Sequence, residues 1–95
     1  MARSAASSTV LVDNNKCILT LWEFAPGQET GWHKHSMDYV VMPKLSGQLM
    51  LENEDGSTTT VEVSPDKPYF RNAGVKHNVV SANDFVFSFL EMEFK

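Results

Sequence analysis

Apolar and polar positions alternate along most of the chain, and turn residues separate the alternating stretches. Val10-Leu11-Val12 is a short apolar run stopped by Asp13-Asn14-Asn15, after which Cys17 to Phe24 carries Ile18, Thr20, Trp22 and Phe24 on one face. That combination predicts a hairpin. Ala25-Pro26-Gly27 ends it, because proline removes a ladder donor and glycine supplies φ freedom. Gly31-Trp32-His33-Lys34-His35 alternates too strongly for a helix and predicts the next strand. Tyr39-Val40-Val41-Met42 extends to Pro43, and Ser46-Gly47 turns the chain into Gln48-Leu49-Met50-Leu51.

Glu52 to Ser57 is a polar tip with an Asp55-Gly56 hairpin turn, and the β-branched stretch Thr58 to Val63 returns from it. Ser64 to Pro68 is a loop with two prolines; Tyr69-Phe70-Arg71 is extended, Asn72-Ala73-Gly74 turns, and His77 to Val80 is extended again. From Phe85 to Phe94, one side holds Phe85, Phe87, Phe89, Glu91 and Glu93, and the other holds Val86, Ser88, Leu90, Met92 and Phe94. Both sides are largely apolar, as in a strand buried on two faces or one that closes a barrel and also meets a partner chain. No window has a sustained helical period, so the pattern predicts an all-β sandwich or barrel.

Composition narrows the partners. With 95 residues, 42% apolar, the chain is sized for one domain with its own core. Met1 to Thr9 reads as a loose tail, ordered only if something docks it, and residues 10–95 as the domain. The net charge is -4, and Arg3, Lys16, Lys34, Lys44, Lys67, Arg71, Lys76 and Lys95 never form a run. Nucleic acid and anionic membrane need a concentrated positive face, so a small solute is the expected partner. The single Cys17 and the lack of an apolar leader or membrane-length run point to a reducing cytoplasm.

The chain has three histidines, His33, His35 and His77. One residue apart on a strand, His33 and His35 share a face and can converge on one metal ion. Such a pair also occurs in cores and on wet faces with ordinary hydrogen bonds.

With these residues in view, the chain resembles the cupin superfamily. The first cupin motif, glycine, His-x-His, glutamate, glycine, is matched by Gly27, His33, His35 and Gly47, with Tyr39 (Val40 under the longer spacing) at the glutamate position. The second is matched by Gly74 and His77, with Asp66, Asn72 and Ser81 replacing its first glycine, its proline and its asparagine. Phe24-Ala25-Pro26-Gly27, Glu29 to His33, Asp38 to Val41, Tyr69-Phe70-Arg71 and Ala73 to Asn78 are similar to blocks of the small single-domain cupins that include the beta-alanine degradation protein BauB. The resemblance implies a small jelly-roll β-barrel, with His33, His35 and His77 as ligands of one metal; a metal-free pocket lined by the same histidines is the alternative.

Three neutral imidazoles suit iron, zinc, manganese, nickel, copper or cobalt and leave a coordination position open. Without a carboxylate ligand the ion keeps its charge and attracts an anionic small molecule. Tyr39, four residues after His35, is expected on the same face. It is either a catalytic hydrogen-bond donor in the pocket or a packed core tyrosine. Gln48 and Arg71 are candidate substrate anchors. Glu29 shares the parity of His33 but is separated from it by Gly31. An inward glutamate beside Phe87 and Phe89 is costly unless paired, so Glu91 and Glu93 are expected to face outward near the barrel end. Trp32 points away from the pocket by parity, toward the back of the sheet or a subunit interface. Exposed edge strands, Val10 to Phe24 above all, predict a homodimer. Two functions follow: a metal-dependent oxygenase, isomerase or hydrolase acting on a small carboxylated metabolite, or a non-catalytic binding or sensor module with the same pocket.

Overall fold

The protein was analysed as a computed structural model that describes residues 3–95. In chain order the strands are β1 (Ser7–Asp13), β2 (Cys17–Phe24), β3 (His33–Lys34), β4 (Asp38–Pro43), β5 (Gly47–Asn53), β6 (Thr58–Val63), β7 (Tyr69–Arg71), β8 (Lys76–Ser81) and β9 (Phe87–Phe94). No helix occurs among the described residues. The strands pair antiparallel into a five-stranded sheet, β1-β2-β9-β4-β7, and a four-stranded sheet, β3-β8-β5-β6. This is the expected two-sheet jelly roll.

The period-two pattern becomes the inside and outside of this sandwich. Phe24, Tyr39, Val41, Phe87 and Phe89 of the larger sheet meet Leu49, Leu51, Val63 and Val79 of the smaller one in a single core. Phe24, Phe87 and Phe89 pack with tilted rings, 5.5 to 6.5 Å between centroids. Gly47 is needed for space: a Cβ there would lie 2.7 Å from Asn83 Oδ1 and 3.0 Å from the Phe87 ring. That gap lets Asn83 accept from the Gln48 N–H at 2.8 Å and donate to the Gln48 carbonyl at 2.9 Å, clamping the start of β5.

Two expectations change. The strand bearing the histidines is only two residues long, and His35 lies just beyond it. The last strand begins at Phe87, and Phe85 and Val86 are exposed before it. Ahead of the domain as read from the sequence, β1 starts at Ser7, the Ala6 N–H donates to the Glu29 carbonyl at 2.7 Å, and the Glu29 N–H donates to the Ser4 carbonyl at 3.1 Å. Arg3 reaches both Glu29 and Glu52, at 3.2 and 3.0 Å. Local sequence does not show these contacts, because Ala6, Ser4 and Arg3 meet partners 23 or more positions away. Met1 and Ala2 lie outside the described residues.

Candidate metal centre

His33 and His77 face each other in register across β3 and β8, so their side chains leave the sheet on the same side as cross-strand neighbours. His35 joins them although it is outside the strand. Its N–H donates to the Val75 carbonyl at 2.8 Å, and its carbonyl accepts from Gly74 N–H at 2.7 Å. Gly74 makes that closure at φ +102°, a backbone conformation open to glycine. On the other flank Gly31, at φ +87°, turns its carbonyl toward His33, whose Nδ1–H donates to it at 2.8 Å. That bond fixes the tautomer and leaves the Nε2 lone pair of His33 pointing at the other two rings. Asn78 secures the arrangement. It is 2% exposed, accepts from the Gly31 N–H at 3.0 Å, and donates to Glu29 and Glu52 at 2.8 and 2.7 Å. The Asn78 amide and then Arg3 hold the Glu29 carboxyl below its ordinary range.

The three Nε2 atoms converge, His33 to His35 at 2.9 Å and His35 to His77 at 3.1 Å. Burial, and then His33, holds His35 down to about 4; burial, followed by His33 and His35, holds His77 down to about 3. Both rings are neutral at pH 7, so their lone pairs are available. A proton on His35 Nε2 can be aimed well at one neighbour and only obliquely at the other, whereas one cation satisfies all three nitrogens. The separations of His35 from its two neighbours are in the range for such a cation, since two nitrogens about 2.1 Å from one ion lie about 3.0 Å apart at a right angle and about 3.4 Å apart at a tetrahedral angle, and all three ligand atoms lie within 4.8 Å of one another.

Around the histidines, Tyr39 is 2% exposed and its ring lies flat on His35, with centroids 3.8 Å apart and planes at 20°. Burial raises its phenol well above the ordinary value. Glu91 comes from the opposite sheet. Its Oε2 accepts from Trp22 Nε1 at 3.3 Å, and its Oε1 stands 3.8 Å from His35 Nε2. Because His35 is neutral, this is proximity and not an ion pair. Burial, then Glu93, pushes the Glu91 carboxyl up to about 7, against the opposing pull of the Trp22 bond. His33, His77, Tyr39, Arg71, Trp22 and Glu91 line a cavity of about 20 Å³, room for about one water molecule.

A relative named beta-alanine degradation protein BauB, from Pseudomonas aeruginosa, is 47% identical over 93 residues, covering 98% of this chain and 97% of the relative. The chain belongs to the BauB family of cupins. A cupin domain from Bordetella pertussis is 46% identical with a TM-score of 0.95, covering 100% of this chain and 98% of that one. An RmlC-like cupin with a double-stranded β-helix fold from Methanocaldococcus jannaschii shares the fold at TM-score 0.78 with 13% identity, over 96% of this chain and 81% of that one. No protein-family model matches the chain.

In this cupin the structure brings His33, His35, His77 and Tyr39 together, with Arg71 at the rim. The Arg71 guanidinium carbon lies 5.7 Å from the Tyr69 ring centroid. Gln48 is not part of this group. Leu49 and Leu51 take the inward positions of β5, so alternation turns Gln48 to the outside, where it lines a separate surface cleft with Glu62 and Lys67. Glu29 is also absent from the cavity lining, being engaged by Asn78 and Arg3. Glu91 corrects the outward expectation: it continues the inner face of Phe87 and Phe89 and is 8% exposed. Its parity with those phenylalanines was the available signal. What sequence could not supply was Trp22, 69 positions away, as the donor that makes an inward carboxylate tolerable. Trp32 points away from the cavity as expected and is 53% exposed.

Proposed function

We propose that the protein is a metal-dependent enzyme whose divalent ion is held by His33, His35 and His77 and whose substrate is a small carboxylated metabolite. The convergence of three Nε2 atoms at 2.9 and 3.1 Å carries this reading. Three imidazole donors would suit iron, zinc, manganese, nickel, copper or cobalt. When bound, the ion supplies Lewis acidity toward a carboxylate or carbonyl oxygen. The chain's own residues do the rest. Arg71, a fixed cation at the cavity rim, pairs with the carboxylate of the incoming molecule. Tyr39 is a positioning residue that holds the His35 ring by stacking. The 20 Å³ cavity beside the three Nε2 atoms has room for about one water and not for a metabolite, so the metabolite engages from the rim beside Arg71. The substrate class is carried over from the name of the Pseudomonas relative, beta-alanine degradation protein.

Elemental analysis of the purified protein against His77→Ala tests this. About one transition-metal ion per chain is expected, lost in the variant. A protein that stays metal-free when ions are added refutes the metal. Saturable binding of small carboxylic acids without turnover by the metal-loaded protein refutes the enzyme and leaves a binding module.

The same reading includes a homodimer in the cytoplasm. The larger sheet ends at β1, all seven of whose residues are exposed, and a free edge is a template for a second copy. On the outer face beside it, Val12, Leu19, Met92, Val40 and Phe70 lie in register across all five strands. A monomer mass by light scattering at micromolar concentration would rule the dimer out. The cytoplasmic assignment rests on the single unpaired cysteine, Cys17.

A further inference from the structure

The cavity has two unlike walls. The smaller sheet and the segment after β3 contribute three imidazoles, and β9, the central strand of the larger sheet, contributes one carboxylate. Glu91 lies between Thr20 of β2 and Val41 of β4, both buried, on a face it shares with Phe87 and Phe89. A carboxylate in such surroundings is costly unless its oxygens are occupied. Trp22 Nε1 serves Oε2, while Oε1, 3.8 Å from His35 Nε2, is too far from that nitrogen for a hydrogen bond. The volume it shares with His33 and His77 is that of one water molecule. Meanwhile the position that carries glutamate in the cupin motif holds Tyr39, whose ring is taken up by stacking on His35.

We propose that Glu91 supplies the carboxylate this site otherwise lacks: from the opposite sheet, it accepts a hydrogen bond from a water that occupies the cavity beside an ion on His33, His35 and His77. This rests on the metal reading above. Glu91 thereby acts behind the ligands, and the Trp22 indole fixes the direction in which its free oxygen points. Outer partners of this kind strengthen metal binding by about 10- to 100-fold.

The test strips the full-length protein with a chelator and titrates it with Co²⁺, reading the dissociation constant by chelator competition and the visible absorption bands of the bound ion. Glu91→Gln keeps the shape and a partner for Trp22 but removes the charge. It should weaken Co²⁺ binding by about tenfold or more and shift the bands, while the metal-free variant melts no lower than the parent. Glu91→Asp withdraws the oxygen from the cavity and should weaken binding with the charge retained, which covers the case in which Glu91→Gln does not fold. Glu23→Gln, the same charge change at an exposed position of β2, should bind as the parent does. If Glu91→Gln binds Co²⁺ within twofold of the parent with unchanged bands, the Glu91 proposal falls and the three-histidine site stands. A parent protein that takes up no Co²⁺ overturns both.

Discussion

Along the inner face of β9, Phe87 and Phe89 give way to Glu91 within four residues, and the interior passes from a dry aromatic cluster to a polar cavity. The two ends share strands and sheets. At the aromatic end, Phe24, Phe87, Phe89 and Leu49 fill the space between sheets, and every contact stabilises the fold. At the cavity end, His35 and His77, held neutral by burial, the His33 ring beside them and a carboxylate raised by burial occupy the same kind of space. Apolar side chains would pack there at lower cost. One end therefore maintains the sandwich, and the other spends part of that stability on holding a polar site.

The largest expected effect that separates the two ends is on folding. Phe87→Ala, at a position with no exposure, should cost about 3–5 kcal/mol in urea unfolding, whereas metal-free His77→Ala should cost far less. Comparable losses would mean that the cavity end is as structural as the core. Next is Gly47→Ala, whose methyl must displace Asn83 or the Phe87 ring; a loss of about 1–3 kcal/mol is expected. A neutral result would show that the Asn83 clamp yields freely.

Acid comes third. His35 and His77 are held below their ordinary value of 6.5, so the unfolded chain binds protons there that the native protein does not. Their contribution is present above about pH 6.5 and is lost as pH falls through about 4 and about 3. Glu91, raised from 4.5 to about 7, runs the other way, stabilising the native state at low pH and losing that contribution as pH rises through about 7. Two histidines outweigh one glutamate, so the melting temperature of the metal-free protein should fall on the acid side of pH 6.5. Above that pH only the glutamate still titrates, so Glu91→Gln should flatten a shallow decline there. Below about pH 4.5 the depressed Glu29 and Asp55 carboxyls add their own loss, so the window from 6.5 to 4.5 isolates the histidines, and a fall there that survives replacement of both His35 and His77 by Gln would refute this assignment. The smallest effect is expected of Tyr39→Phe, which keeps the ring on His35 and should leave metal content unchanged. A loss of metal would give the phenol hydroxyl a direct part at the site.

Much of this was legible in the chain. Alternation places Ile18, Thr20, Trp22 and Phe24 on one face of β2, and the sheet keeps them there because neighbouring side chains on a pleated strand must point to opposite sides. The His33-Lys34-His35 spacing pointed to two of the three nitrogens, although His35 lies beyond the strand and reaches the site through the Gly74 turn and not through the pleat. A carboxylate on an apolar face is normally excluded, so local pattern turns Glu91 outward, whereas its compensation, the Trp22 indole, lies on another strand. Gln48 is a candidate by its chemistry alone, and the parity that sends Leu49 and Leu51 inward turns it to the outer face.

The sequence by itself determined the all-β class, the faces of the strands and the histidine set, since each follows from local steric alternation and from residues few enough to have no other partners. Tertiary structure decided what those residues meet. The register of β3 on β8 set His33 opposite His77, the Gly74 turn brought His35 alongside, and the stacking of two sheets put Glu91 and Trp22 across the cavity. Those are relations between segments up to 69 positions apart, fixed by packing and not by any local preference of the chain.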